Sequence, residues 1–155
     1  MAGRIDAKLE ELGITLPPPA KPIATYVPFA VTGRLVVVSG QLPVQDGRIA
    51  FTGKLGESVT VEQGKESCRL CFINVLAQLR EAAGGELDRV KQVLRLGGFI
   101  ACVPGFTEHA LVMNGASELC VAVFGDAGRH ARTTIGVPAL PADAATEVEA
   151  LVELN

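Results

Sequence analysis

The C-terminal third of the chain carries the residue types best suited to anion and acid–base chemistry. Arg129 and Arg132 open a run of small and β-branched residues, and glutamates alternate with apolar residues at its end. A guanidinium presents a planar pair of donors that fits a carboxylate, and it keeps its charge at any working pH. One arginine and one glutamate brought together by the fold would handle a small anionic substrate. The alternative is that these charges form a solvated rim, as charges beside strands usually do.

Cysteine and histidine chemistry is the second possibility. The chain has four cysteines, all within apolar segments: Cys68, Cys71, Cys102 and Cys120. The CxxC motif of the first two would need a second pair, or histidines at ligand spacing, to hold zinc, and His109 and His130 are isolated. We therefore interpret the four as reduced thiols of a cytoplasmic protein, with no metal and no cofactor.

The composition predicts one globular domain over residues 1–155. Apolar residues make up 48% of the chain and charged residues 20%, and we find no apolar run near 18 residues, so we expect no membrane span. The first residues contain acids and lack the apolar core of a signal peptide. The net charge of −3 and the lack of a basic stripe argue against nucleic acid binding.

The elements begin with a short helix over residues 4–12, where Ile5, Leu9 and Leu12 share one face and Gly13 ends the turn. The segment TLPPPAKP that follows cannot be helical, and we expect an extended arm. Residues 1–22 are therefore an N-terminal extension of the domain.

Two long helices are predicted in the body of the chain. Thr60 and Gln63 form a T-x-x-Q capping box, and apolar residues recur at helical spacing until Gly84 and Gly85. The CxxC cysteines fall on that apolar stripe. A second helix follows the sequence PGF and contains the Asn114-Gly115 pair in its interior.

Strands are predicted over residues 34–39, 48–51, 88–103, 133–137 and 146–154. The Gly97-Gly98 pair breaks the longest of them and suggests a bulge or a close backbone approach. Two helices and about six strands predict an α+β domain, with both helices on one face of a mixed sheet. The other face is too apolar to remain in water, so we expect it to be covered by self-association.

Six features in this order resemble the RidA family, also called YjgF-like, of enamine/imine deaminases: Tyr26, Ser39-Gly40-Gln41-Leu42-Pro43, the long helix, Ala131-Arg132, Leu140-Pro141 and Glu147-Val148-Glu149-Ala150. Each piece is short, but their order and spacing over residues 26–155 are specific. The resemblance implies a chorismate-mutase-like fold with a six-stranded mixed sheet. It also implies a homotrimer with active sites in the clefts between subunits.

The resemblance also implies roles for residues. Arg132 matches the arginine that grips the substrate carboxylate, and Glu147 matches the glutamate that positions or activates water. Tyr26 and Ser39 match residues that line the same cleft, and Thr134, which replaces a frequent cysteine, would add a donor to the carboxylate. We expect Arg132 and Glu147 to be separated by the length of the substrate and to form no direct salt bridge.

Other residues stay outside the predicted site. Asn114 resembles a family asparagine, but its spacing to the arginine differs by one residue, so it is left out. Arg129 and His130 are interpreted as surface charge. Ala24-Thr25-Tyr26 stands where the family has GPY, which indicates a divergent branch whose members are often labelled endoribonucleases.

The reaction implied is the cofactor-free hydrolysis of 2-enamine or 2-imine carboxylates to 2-keto acids and ammonia. Two alternatives remain open from the sequence. A non-catalytic module would bind small carboxylates such as 2-keto acids without turnover. An endoribonuclease would need a basic groove and a pair of general bases, which the acidic composition does not favour.

Overall fold

The architecture is that of an α+β domain. In the computed structural model of this protein, residues 2–22 and 24–155 are described, and Met1 and Ile23 lie outside the described residues. The described residues form three α-helices: α1 (Arg4–Glu11), α2 (Val61–Ala82) and α3 (His109–Phe124). They also form seven strands: β1 (Phe29–Thr32), β2 (Leu35–Gln41), β3 (Val44–Gln45), β4 (Arg48–Ile49), β5 (Val90–Ala101), β6 (Ala131–Val137) and β7 (Thr146–Leu154).

The main sheet has five strands in the order β1-β2-β7-β5-β6. It is mixed, because β6 runs parallel to β5 whereas the other neighbours are antiparallel. The prediction of six strands in one sheet is therefore wrong in number. The strands β3 and β4 pair with each other in a separate two-stranded sheet. Asp46 and Gly47 form the turn between them with positive φ angles of 52° and 76°, so each strand has only two residues. The strand β1 is only four residues long and was not predicted from the sequence.

The predicted helices are confirmed, with ends set by local chemistry. Thr60 caps α2 through a capping box with Gln63, and Gly84 and Gly85 follow its end with φ angles of 70° and 98°. The carboxylate of Asp88 accepts from the Arg4 and Ile5 amides at 2.8 and 2.7 Å, so a distant acid caps α1.

The arm after α1 has no regular secondary structure over residues 14–22. It is tied to the body at Ala20, whose carbonyl accepts from Nε2 of the buried Gln78 at 2.7 Å. This bond places the arm beside α2.

Helix α3 packs against α2, and Gly115 makes the close approach possible. A Cβ at this position would overlap the backbone carbonyl oxygen of Lys65. By length and composition alone the segment His109–Gly128 is apolar enough to cross a membrane, with a mean hydropathy of 1.2. In this fold its buried side chains, among them Val112, Leu119 and Val123, join the core, as in the core helix of a globular domain.

Strand β5 runs through Gly97 and Gly98 without interruption, so the predicted break is wrong and the predicted close approach is correct. The side chain of Met113 lies over Gly98, and the side chain of Glu149 lies over Gly97. The irregularities in register occur earlier in the strand, between Val90 and Gln92 and between Val93 and Arg95.

The two faces of the sheet differ. The helix face carries the buried residues of β7 and packs under α2 and α3. The opposite side, called here the open face, carries Glu147, Glu149 and Glu153 together with five apolar residues: Leu35, Val37, Phe99, Ile135 and Leu151. Val37 and Ile135 are about half exposed, at 51% and 48%. The expected apolar second face is therefore present.

Candidate active site

Arg132 lies on the helix face of the edge strand β6, and three hydrogen bonds hold its guanidinium against α3. Nη1 donates to Asn114 Oδ1 at 2.9 Å and to Ser117 Oγ at 3.1 Å, and Nη2 donates to the Ala110 carbonyl at 3.1 Å. A guanidinium has five N–H groups, so these three bonds leave two for a ligand, counting contacts within the described residues. These hydrogen bonds fix the orientation of the Arg132 guanidinium before a ligand binds.

His130 extends this network. Its Nδ1 donates to the Gly128 carbonyl at 2.6 Å, which leaves Nε2 of the neutral ring to accept from the Ser117 hydroxyl at 2.8 Å. The interpretation of His130 as surface charge is therefore wrong, since the ring is half-buried and bonded at both nitrogens. Arg129 is exposed, as expected, with Asp126 at 3.4 Å.

Asn114 is the residue that sequence reasoning excluded and the structure brings to Arg132. The signal was present in α3, because Ala110, Asn114 and Ser117 recur at i, i+4 and i+7 and share one face of the helix. The irregular spacing to the strand hid it, and a 3₁₀ turn over residues 125–128 lies in the connection between α3 and β6.

Glu147 lies on the open side of β7, where it lines a cavity of about 100 Å³. Burial raises the pKa of its carboxyl group, and the neighbouring charge of Glu149 raises this pKa further. Gly40 makes room for the carboxylate, because a Cβ at position 40 would overlap Oε1 of Glu147. A half-buried carboxyl group with a raised pKa is suited to exchange protons with water.

Tyr26 lines the same cavity as Glu147, and its side chain is 49% exposed. Ser39 lies next to Gly40, and its hydroxyl donates to the Val27 carbonyl at 2.7 Å. This bond ties the segment after Tyr26 to β2. The arm contributes a further wall of the cavity through Ala20, Lys21 and Pro22.

Thr134 lies on the same face of β6 as Arg132, two residues along, opposite Gly98. Its hydroxyl oxygen is buried and has no hydrogen-bond partner among residues 2–22 and 24–155. A buried hydroxyl without a partner is costly, so Thr134 is an unsatisfied polar group two residues from Arg132.

In a single chain the candidate residues form two separate groups. Arg132 and Thr134 face α3, whereas Glu147 and Tyr26 line the cavity at the other side, and β5 lies between β6 and β7. Arg132 aligns with Leu96 and Glu147 aligns with Phe99, so the two side chains leave opposite faces of the sheet. Within the described residues they form no salt bridge.

Residues 6–154 match the family described as "YjgF/chorismate_mutase-like, putative endoribonuclease". The chain belongs to the YjgF/chorismate mutase-like family. This membership confirms the resemblance, which rested on residues 26–155, and extends it into α1.

Relatives place the chain within this YjgF-like family. Protein TCP17 of Trypanosoma cruzi is 49% identical over 155 residues, covering 99% of this chain and 96% of that protein. A crystal structure named as a putative endoribonuclease from Shewanella oneidensis is 36% identical with a TM-score of 0.94, covering 98% and 100%. Escherichia coli TdcF with bound serine is 25% identical with a TM-score of 0.63, covering 92% and 97%. The contrast in TM-score agrees with a divergent branch.

The CxxC cysteines of this YjgF-like chain are part of the core. Cys68 and Cys71 are fully buried in α2, and the Cys71 thiol lies 3.3 Å from Thr146 Oγ1. Burial raises the pKa of Cys68 to about 12. Among the residues described, no group of three or more His, Cys, Asp or Glu side chains is placed to hold a metal ion.

Proposed function

We propose that this protein hydrolyses reactive 2-enamine and 2-imine carboxylates to 2-keto acids and ammonia, at clefts between the subunits of a homotrimer. The observation that carries the proposal is the guanidinium of Arg132, which is oriented by three hydrogen bonds and keeps two N–H groups for a carboxylate. The family of the chain and the serine bound to TdcF, a small amino carboxylate, support this class of ligand.

The residues divide the reaction between them. Arg132 binds the carboxylate of the imine, and the Thr134 hydroxyl adds a donor beside it. Glu147 accepts a proton from water as the oxygen attacks the C=N carbon, and the proton then passes to the nitrogen. Glu147 then takes the hydroxyl proton of the resulting carbinolamine and passes it to the amino nitrogen. The C–N bond breaks, ammonia leaves, and the carbon becomes the carbonyl of a 2-keto acid. Every atom is supplied by the imine and one water molecule.

A second copy of the chain completes the site in this proposal. Arg132 and Glu147 lie on opposite faces of one sheet, so no motion of the two side chains alone joins them. The open face carries Val37 and Ile135, and burying it against other copies removes apolar surface from water. Closure by three copies then places Arg132 of one subunit near Glu147 of the next.

Two other functions fit parts of the site. A binding module would bind a small carboxylate through Arg132 in the same way but would show no turnover. TdcF, for example, has been crystallised with bound serine. The family description also names endoribonuclease activity. RNA cleavage would need cationic contacts to phosphates, and the net charge of −3 does not favour them.

The test is a coupled assay in which amino-acid oxidases generate a panel of imines beside the protein. We expect 2-keto acid and ammonia to form faster than in buffer, with a preference among side chains. Saturable binding of 2-keto acids without any acceleration would instead establish the binding module. Cleavage of RNA by the purified protein, with no effect on imines, would establish the endoribonuclease.

A further inference from the structure

Cys102 and His109 form a thiol–imidazole pair at the end of β5, outside the candidate active site. Cys102 follows the last residue of the strand, and His109 is the first residue of α3. The Sγ atom of Cys102 lies 3.6 Å from Nε2 of His109, within hydrogen-bonding distance for sulfur. The two are seven positions apart, but the residues between them form a loop, so helical spacing does not explain why they meet.

Neighbouring residues hold this pair in place. The Cys102 amide donates to the Val137 carbonyl at 3.1 Å, which fixes the start of the loop. The Phe106 ring meets the His109 imidazole edge-on, with centroids 5.3 Å apart. A Cβ at Gly136 would lie 2.6 Å from His109 Nε2 and 2.7 Å from Cys102 Sγ. Only glycine at this position of β6 leaves space for both groups.

The other three cysteines lack these conditions. Cys68, Cys71 and Cys120 are completely buried. Burial raises the pKa of Cys68 and Cys120 to about 12 and that of Cys71 well above its ordinary value, so these thiols are inert. Cys102 is half-buried and beside a base. Its Sγ lies beside Gly136, which aligns with the buried Ile100 on the helix side, away from the open face that a trimer would bury.

We propose that Cys102 is a reactive thiol activated by His109, and that it is a modification site for hydroperoxides and other small electrophiles. His109 Nε2 accepts the thiol proton, and the thiolate attacks one oxygen of the hydroperoxide. The S–O bond forms as the O–O bond breaks, and the leaving alkoxide or hydroxide takes the imidazolium proton. Sulfur is oxidised by two electrons to a sulfenic acid and the peroxide is reduced to an alcohol or water. Neither residue has a role in the proposed hydrolysis, so the two proposals are independent.

The test measures the alkylation rate of each cysteine in the native assembly with iodoacetamide at neutral pH, by mass spectrometry of quenched digests. We expect Cys102 to be labelled first, whereas the three buried cysteines are labelled only after unfolding. Because His109 is the proposed acceptor of the thiol proton, His109→Gln should slow labelling of Cys102 about tenfold. Hydrogen peroxide followed by a sulfenic acid trap should modify the same residue, and Cys102→Ser should abolish both reactions.

Gly136→Ala is the geometric variant, since the added Cβ separates the thiol from the imidazole without removing either. It should slow labelling as His109→Gln does, and thermal melting of both variants separates this effect from loss of folding. Equal labelling rates of Cys102 in the wild type and in two folded variants, His109→Gln and Gly136→Ala, would overturn the proposal. Faster labelling of Cys68, Cys71 or Cys120 in the native protein would overturn it as well.

Discussion

At the scale of single residues, the guanidinium of Arg132 is fixed by Asn114, Ser117 and the Ala110 carbonyl before a ligand arrives. Loss of its charge-assisted pair with a carboxylate should cost about 3 kcal/mol or more. We therefore expect Arg132→Ala to lower kcat/KM for imine hydrolysis at least about a hundredfold. Arg132→Lys keeps the charge, loses the planar fork, and should recover only a minor part. The coupled assay and 2-keto acid binding measure both variants.

Arg129→Ala is the matched control, because Arg129 is exposed and three residues away in sequence. Its turnover should equal that of the wild type. If Arg129→Ala loses activity while Arg132→Ala keeps it, the assignment of the arginine is wrong. If neither substitution matters, the carboxylate anchor itself is disproved.

The pH dependence tests Glu147. Burial and the charge of Glu149 both raise the pKa of the Glu147 carboxyl group, and a general base acts only when ionised. Glu149→Gln removes this like charge, so the pKa of Glu147 should fall. The acidic limb of the kcat/KM profile should therefore move to lower pH.

Glu153→Gln is the control for this shift, because Glu153 lies farther along β7 and is paired with Lys91 at 3.1 Å and Arg34 at 3.4 Å. It should leave the acidic limb where it is. An acidic limb that does not move in Glu149→Gln would show that Glu147 is not the titrating base.

Residue identity and residue contacts differ in how far the sequence predicts them. The alternation in β7 correctly placed Glu147 and Glu149 on the face opposite the buried residues. The partners of Arg132 were not predicted, because they depend on how α3 is rotated relative to β6 in the packed domain. Asn114 was excluded because its spacing to the arginine differs by one residue from that of the family. The role of His130 was missed because its partner Ser117 lies 13 positions away in the sequence.

At the scale of elements, the contact between α2 and α3 depends on Gly115. Alanine is favoured over glycine in a helix by about 1 kcal/mol. Here its Cβ would overlap the Lys65 carbonyl, and backbone cannot move aside as a side chain does. Overpacking of this kind costs about 1–3 kcal/mol or more. We expect Gly115→Ala to lower the free energy of unfolding, measured by urea denaturation, despite the better helix propensity.

Ala122→Gly in the same helix serves as the reference, since Ala122 is exposed and its change reports propensity alone, at about 1 kcal/mol. A Gly115→Ala protein more stable than the wild type would show that the two helices are not in close contact at this position.

Elements with strong local signals were predicted well. The capping box fixed the start of α2, and the glycine pair fixed its end. The sheet was predicted less well, because β1, β3 and β4 have two to four residues each and owe their pairing to distant partners or to one turn. The capping of α1 by Asp88 joins residues 84 positions apart, and no local pattern indicates it.

At the scale of the whole molecule, the proposed trimer accounts for the apolar open face and for the position of Arg132 and Glu147 on opposite faces of the sheet. The sequence predicted that the second face needs cover, because its strands are too apolar for water. It did not predict that Arg132 and Glu147 leave opposite faces, because this depends on the strand order that puts β5 between β6 and β7. In a closed trimer, each cleft would take Arg132 from one subunit and Glu147 from the next.

The most direct test of this account mixes two inactive proteins, Arg132→Ala and Glu147→Gln, in equal amounts under conditions that exchange subunits, with native mass spectrometry to verify mixed trimers. A cleft between subunits is intact when its arginine comes from the Glu147→Gln chain and its glutamate comes from the Arg132→Ala chain. Random exchange produces this combination in about one quarter of the clefts, so imine hydrolysis should return to about a quarter of the wild-type rate. Mixed trimers that remain as inactive as the separate variants would contradict the account, because a site contained in one chain gains nothing from exchange.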